Sequence, residues 1–325
     1  MTTRSEGPQR HRIARRTLLL AGAAALASRV SVAADPVVLR LGDQKGGVEA
    51  LLNAAGVLHD LPYKLEISQF AAAAPLLEAL NAGAVDVAWA GDAPTNFALA
   101  NGTPAHIISA HRSSGAGTAL LVKQDAPIHA VADLAGKQIG TGRGSIGHAL
   151  VLAALKANGL ALNAVQMNFL LPADAKSALE AGSIDAWSAW GIYVAQGRLA
   201  DHYRVVVDGS KGLLGGLGYL TALDTAIAGK RAALHDLVTR AAQASRWAVE
   251  HVDDYARYWS GLLGVSFDVA RLSFTTAPTT AVPIDAGVIA AQQRTADLYV
   301  EAKLAPKKVD VASFFDASFN DALAS

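Results

Sequence analysis

Two phrases constrain this chain more than anything else in it. Ala79-Leu-Asn-Ala-Gly-Ala-Val-Asp86 and Ala178-Leu-Glu-Ala-Gly-Ser-Ile-Asp185 are the same phrase, 99 residues apart. Each reads as the end of a helix, a glycine (Gly83, Gly182) that closes it, and a strand entered through Val or Ile and then Asp. A tryptophan follows within a few positions of each, Trp89 in the first and Trp187 in the second. The upstream segments match as well: Leu65–Phe70 is a predicted strand before the first helix, and Gln166–Leu171 one before the second. Strand, helix and strand written twice predict parallel α/β sheets in two similar halves.

The remaining elements fit around that frame. Val37–Gly42 opens the first half, and Gln44-Lys45-Gly46-Gly47 leads from it into a helix through Leu52. Thr118–Val122 is read as a strand crossing into the second half, and the Gly-rich Gly212–Thr221 as the return. Mostly helical sequence follows, including Lys230 to His251, which should pack back on the first half. The expected fold is α/β, with lobe 1 formed by residues 34–120 plus 218–325 and lobe 2 by 121–217. The hinge is expected near Leu120–Lys123 and Gly215–Thr221. In open α/β sheets ligands sit beyond the carboxyl ends of the strands. Four predicted strand-to-helix turns gather there: Gln44–Gly47, Gly91–Thr95, Arg112–Gly115 and Gly142–Gly147.

The last of these turns contains Gly142, Gly144 and Gly147 in the spacing G-x-G-x-x-G, which raises the question of a dinucleotide. A strand (137–141) precedes it and a helix (148–156) follows, but the next strand ends in Asn168, Phe169 and Leu171 with no carboxylate for a ribose. The cofactor is therefore dropped, and what stays is an anion cradle at a helix N-terminus.

The first 33 residues read as a cleavable export signal. They hold six Arg, the short apolar run Thr17–Ala27, and small residues at Ser31-Val32-Ala33. Arg15-Arg16 before Thr-Leu-Leu hints at twin-arginine export. The whole chain balances 28 basic against 28 acidic side chains, so losing six Arg and Glu6 leaves 292 residues with net charge −5. A mildly acidic protein without a basic run is a poor partner for nucleic acid. Cysteine is absent, which removes disulfides, thiol catalysis and cysteine metal sites. No paired metal-ligand spacing occurs among the nine His, so no metal is expected.

Several stretches together resemble the periplasmic substrate-binding proteins of ABC importers for alkanesulfonates, taurine and nitrate. They are Leu41–Gly46, Leu77–Asp86 with Gly91-Asp92, Val131–Lys137, Gly144-Ser145 with His148, Leu171–Ala175 and Asp185–Trp190. The resemblance spans about residues 37–320 and is nearest to the alkanesulfonate branch. It implies a type II periplasmic-binding-protein fold, with a small organosulfur anion closed between two lobes. It further implies a monomeric periplasmic receptor that delivers its ligand to a membrane permease with a cytoplasmic ATPase. One departure stands out: relatives often read Trp-Asp-Pro where this chain has Trp190-Gly191-Ile192, which leans away from taurine. Nitrate, a sulfate ester or an aromatic carboxylate are alternative ligands on the same scaffold. The rival from another class is an enzyme of this architecture acting on a sulfonate or sulfinate. Those enzymes work through cysteine, which this chain lacks, and no G-x-S-x-G replaces it.

The candidate ligand-binding residues follow from the turns. The first half offers Gln44, Lys45, Gly91, Asp92, Arg112 and Ser113, and the return segment offers Tyr219. The second half offers Arg143, Gly144, Ser145, Ile146, Gly147, His148 and Trp190. A sulfonate has three acceptor oxygens and no donor at neutral pH, so N–H and O–H groups suit it. Ser145 is expected to cap the helix from Ile146, and Asp92 to orient its loop rather than face an anion. Trp187 and Trp190 are three apart and cannot share one face of a strand, so at least one of them belongs to the core; Trp190 is favoured for the cleft, although alternation does not say which of the two faces it.

Overall fold

The computed structural model describes residues 1–3, 36–305 and 307–324; apart from residues 1–3, the predicted export signal lies outside the described residues. In chain order the first half contains β1 (Val38–Gln44), α1 (Val48–Ala54), β2 (Lys64–Phe70), α2 (Ala73–Asn81), β3 (Val87–Gly91), α3 (Asp92–Ala100) and β4 (Ala105–Arg112). The second half runs β5 (Thr118–Val122), β6 (Gln138–Thr141), α4 (Ile146–Ala157), β7 (Gln166–Phe169), α5 (Pro172–Ala181), β8 (Ala186–Trp190), α6 (Ile192–Leu199) and β9 (Arg204–Asp208). The chain then returns through β10 (Leu217–Leu223) to α7 (Asp224–Glu250), α8 (Val252–Leu263), α9 (Phe267–Thr276), β11 (Thr280–Val282) and α10 (Ala286–Glu301).

The strands form two sheets of one topology, β2-β1-β3-β10-β4-β11 and β7-β6-β8-β5-β9. In each sheet the first three strands are parallel, and a strand contributed across the halves (β10 in one, β5 in the other) lies antiparallel to the third. Only β11, at the edge of the first sheet, lacks a counterpart. The sequence repeat is therefore a repeat of topology.

The repeated aspartates show why the phrase recurs. Asp86 Oδ2 accepts the Arg40 N–H at 2.8 Å, and the Asp86 N–H donates to the Arg40 carbonyl at 2.8 Å. Asp185 does the same with Gln138, at 2.8 Å in both directions. Each aspartate thus ties β1 to β3 or β6 to β8. Two residues on, β1 and β6 each carry a glycine at a point of close packing. A Cβ on Gly42 would stand 2.2 Å from Leu76, and one on Gly140 would stand 2.5 Å from Ile184. The two joints differ in charge: Asp86 is buried and also accepts from the guanidinium of Arg40 and from Lys230 Nζ, whereas Asp185 is exposed.

The crossings fall elsewhere than the sequence suggests. Leu120 and Val122 are fully buried in β5, bonded to β8 and β9, so Leu120–Lys123 is not a hinge. The chain passes between sheets at residues 113–117 and returns at 209–216. Arg112–Gly115 accordingly joins two strands, not a strand to a helix. The two connections run side by side: the Ser113 N–H donates to the Gly216 carbonyl at 2.8 Å, and a Cβ on Gly115 would stand 2.5 Å from the Gly209 carbonyl oxygen.

Helix α7 packs on the first sheet, as expected, with α1, β10 and β11 beneath it. In the second half alternation splits the core. Leu120 and Val122 pack with Ile139 and Leu155 on one face, and Ala119 and Leu121 with Leu179 and Trp187 on the other. Among the described residues no helix is long and apolar enough to cross a membrane.

Asp86 gives a stability test. Burial by itself would raise its pKa, but hydrogen bonds from Arg40 and Lys230 outweigh that and hold it below the ordinary carboxylate value. A carboxylate depressed in this way stabilises the fold above its unfolded pKa of about 4, and the contribution is lost as pH falls through the folded value. Asp86→Ala leaves two cations and a strand N–H without their acceptor and should cost about 3 kcal/mol at pH 7. In urea unfolding the variant should lose less further stability than the wild type between pH 5 and pH 2.

Candidate ligand-binding cleft

A cavity of about 620 Å³ opens where the carboxyl ends of both sheets face each other. The turn after β1 (Gln44–Gly47) and the turn after β6 (Gly142–Ser145) are its equivalent walls, one from each half. Each turn carries a positive-φ glycine, Gly46 at 79° and Gly144 at 66°, which lets the strand bend sharply into its helix. Each exposes one cation, Lys45 or Arg143.

The equivalent helix starts are closed differently. The Asp43 carboxyl, buried beneath the first turn, accepts the N–H groups of Gln44 and Glu49 at 2.8 Å each, so donors there are already engaged. Burial pushes this group up to about 7 against the pull of those bonds. At α4 the cap is instead the neutral Ser145 hydroxyl, whose Oγ accepts the His148 N–H at 3.2 Å. The Ile146 and Gly147 N–H groups then have no partner among the described residues. Helix α2 follows Ala72 and α6 follows Gly191, and neither residue supplies a side-chain cap. The first-turn amides of Ala73, Ala74, Ile192 and Tyr193 are likewise unpartnered among the described residues, and all four residues line the cavity. Aligned amides at a helix start carry partial positive charge and attract anions.

Aromatic rings supply the rest of the wall. Trp190, at the end of β8, lies beside the cradle, and a Cβ on Gly142 would stand 3.9 Å from its Cη2. The Phe169 ring carries the Arg143 guanidinium 4.1 Å from its centroid. Trp89, Tyr193, Trp259 and Phe274 line the other sides. Among the described residues no Asp or Glu lines the cavity.

Of the residues proposed from sequence, Gln44, Lys45, Gly91, Ser113, Arg143, Ser145, Ile146 and Trp190 line this cavity. Six do not. Asp92 is buried, its Oδ1 accepting the Ala93 N–H at 2.7 Å, and burial pushes its pKa up to about 6. Tyr219 is buried too, donating its hydroxyl to Gln292 Oε1 at 3.0 Å, while Gln292 Nε2 donates to the Asp92 carbonyl. These three residues tie α3, β10 and α10 together rather than meet a ligand. His148 points inward: its Nδ1 accepts the Gly144 N–H at 3.2 Å, and burial, with Arg143 nearby, lowers its pKa to about 4. That bond takes the Gly144 amide out of the cradle, and the Tyr299 hydroxyl takes the Gly144 carbonyl at 3.1 Å. Gly147 is buried so tightly that a Cβ would stand 2.7 Å from the Ser188 carbonyl oxygen. Arg112, at the end of β4, lies off the lining.

Sequence reading missed Ala71–Ala74, Phe169–Pro172, Tyr193 and the α8–α9 aromatics. The α2 start was legible in principle as an extension of the repeat, because Phe70-Ala71 parallels Phe169-Leu170 before the equivalent helix. Nothing local marks Trp259 or Phe274 as cleft residues, since α8 and α9 reach the cavity only through tertiary packing.

The topology and the cleft between its two sheets are those of the type II periplasmic-binding-protein fold. The sequence is 33% identical over 299 residues to an aliphatic sulfonates-binding protein of Escherichia coli (strain K12), covering 90% of this chain and 93% of that one. A second relative of the same description, from Bacillus subtilis (strain 168), is 28% identical over 297 residues, covering 90% and 86%. The chain belongs to the family of these aliphatic sulfonates-binding proteins. The NMT1/THI5 like family description also matches residues 63–212. Among solved structures, the periplasmic aliphatic sulphonate binding protein SsuA of E. coli matches with TM-score 0.77 at 30% identity, covering 87% of this chain and 92% of that one. The alkanesulfonate-binding protein SsuA of Xanthomonas axonopodis pv. citri, bound to MOPS, matches with TM-score 0.79 at 30% identity, covering 87% and 99%. The desulfurization enzyme DSZB shares the fold at 18% identity and TM-score 0.64.

The two tryptophans of β8 should separate in stability. Trp187 is 1% exposed in the core, and Trp190 stands at the cleft. Trp187→Ala should cost about 3–5 kcal/mol in denaturant unfolding, as for other large core truncations, and Trp190→Ala about 1 kcal/mol.

Proposed function

We propose that this protein is a non-catalytic solute receptor that closes on an aliphatic sulfonate and hands it to an ABC permease with a cytoplasmic ATPase. The observation that carries the reading is the make-up of the cleft. It has two cations, converging free amides and aromatic walls, with no carboxylate among its described lining residues. A monoanion with acceptors only and an organic tail is the complementary ligand. Both relatives are named for aliphatic-sulfonate binding, and the Xanthomonas structure holds MOPS, itself a sulfonate. The head is placed at Ser145 and Ile146, with Arg143 above it and Trp190 beside the tail. Taurine fits less well, because its ammonium would find no carboxylate in that lining.

A receptor role is favoured over catalysis by the names of the relatives and by the absence of cysteine from the sequence. A periplasmic location for the mature chain is supported by the signal-like residues 1–33 and by the E. coli structural relative, which is named as periplasmic.

Ser145→Asp tests the head position. Aspartate caps a helix as well as serine does, so folding stability should hold. Its carboxylate would stand roughly 4 Å from the bound sulfonate, a repulsion of about 4 kcal/mol at an effective dielectric of about 20. Calorimetry with ethanesulfonate should show affinity about a thousandfold weaker. Binding within about threefold of wild type would move the head elsewhere.

The lobes are proposed to hinge at residues 113–117 and 209–216, where Gly115, Gly212 and Gly216 take positive φ. Small-angle scattering should show a smaller radius of gyration with saturating ethanesulfonate. An unchanged value under conditions where calorimetry shows binding would rule the closure out.

A further inference from the structure

Behind Trp89 lies a second cavity of about 360 Å³. It adjoins the cleft, sharing Trp89, Phe274, Ala277 and Thr279 with it, and runs under α7 and α8. Leu51, Ala248, Val252 and Tyr255 make most of its wall apolar. At its back stands His111 on β4, fully buried. Nε2 of His111 lies 3.3 Å from Ser109 Oγ, and Nδ1 has no hydrogen-bond partner among the described residues. A buried polar atom left unpaired costs about 1–3 kcal/mol, so such an atom in a cavity wall is a candidate contact for a guest.

Trp89 borders both spaces. Its ring meets that of His111 edge to face at 4.7 Å and 77°. The contact crosses β10, which lies between β3 and β4, and it is possible because β10 presents Gly218 there. A Cβ on Gly218 would already stand 3.6 Å from Trp89 Cζ2. The indole, paired with Leu220, therefore reaches across Gly218 to contact His111.

We propose that Trp89 is an inner gate and that the chamber behind it receives the far end of a long ligand. The indole turns aside, the apolar walls take the chain, and His111 Nδ1 bonds a polar group at its end. The ligand class is then an extended sulfonate with a terminal hydroxyl or similar group, rather than a short alkanesulfonate alone. This rests on the sulfonate reading of the cleft, which the same experiment checks separately.

The test uses calorimetry with methanesulfonate and 6-hydroxyhexane-1-sulfonate on the full mature protein, as wild type, Ala248→Phe and His111→Phe. Ala248 and His111 line the chamber and not the cleft, so methanesulfonate affinity should stay within about twofold in both variants, which also shows that they fold. For the long sulfonate, Ala248→Phe fills the chamber and should weaken binding about tenfold or more. His111→Phe removes the polar contact and should weaken it about fivefold. The His111 Nδ1 nitrogen resonance should move with the long ligand and not with methanesulfonate. Binding of both sulfonates unaffected by either variant overturns the chamber. Equal losses for both ligands overturn it too, because the chamber would then be only a support for the cleft. If the wild type binds neither sulfonate, the sulfonate reading falls and the chamber proposal with it.

Discussion

The joints between β1 and β3 and between β6 and β8 underlie the rest of the molecule. Asp86 and Asp185 each make two hydrogen bonds with the backbone of the residue opposite, accepting one through the carboxylate and donating one through the N–H, and so fix the register of two parallel strands at their entry ends. Parallel neighbours have no hairpin to set their register, so a side chain that reaches across does it instead. Two residues further on, Gly42 lets Leu76 of α2 press directly on β1, and Gly140 makes room over β6 for Ile184 beside α5. With entry ends and helix heights fixed, the carboxyl ends fall level, and the turns above them form a single rim. Cleft geometry is therefore a consequence of strand register.

Duplication gives the two halves the same frame, and electrostatics makes them unequal. Asp43 and Ser145 lie under equivalent helix starts, one supplying a carboxyl that already occupies the amides, the other a hydroxyl that leaves two amides unpaired. An anion gains from the second and little from the first. This asymmetry, more than the presence of Lys45 and Arg143 on both sides, is the reason the proposed complex has its head in the second half. In that proposal the tail faces rings from both halves, including Trp190 on one side and Trp89 on the other.

The G-x-G-x-x-G spacing illustrates how a motif changes meaning in three dimensions. Gly144 serves backbone curvature and packs against Phe97, while its amide is spent on His148. Gly147 serves helix–strand contact beneath Ser188. Gly142 alone of the three faces the cleft. Those are structural reasons for glycine, and they do not call for a nucleotide.

The sequence by itself determined the alternation of strands and helices, the internal duplication, the family, and the Ser145 cap. These depend on local periodicity, on capping chemistry and on a phrase long enough to be recognised twice. It also put Trp187 and Trp190 on opposite faces, because successive strand residues alternate faces whatever surrounds them, but only the fold shows that Trp190 is the one at the cleft. Tertiary structure decided what local pattern cannot carry: that the crossing lies at residues 113–117 and not at Leu120, that Asp92, His148 and Tyr219 serve internal bonds, and that α8 and α9 bring Trp259 and Phe274 to the cleft. A polar or aromatic side chain near a sheet's end looks the same in sequence whether it bonds a neighbour or faces a ligand. Only its distance to groups far along the chain, such as Gln292 for the Tyr219 hydroxyl, settles which it does.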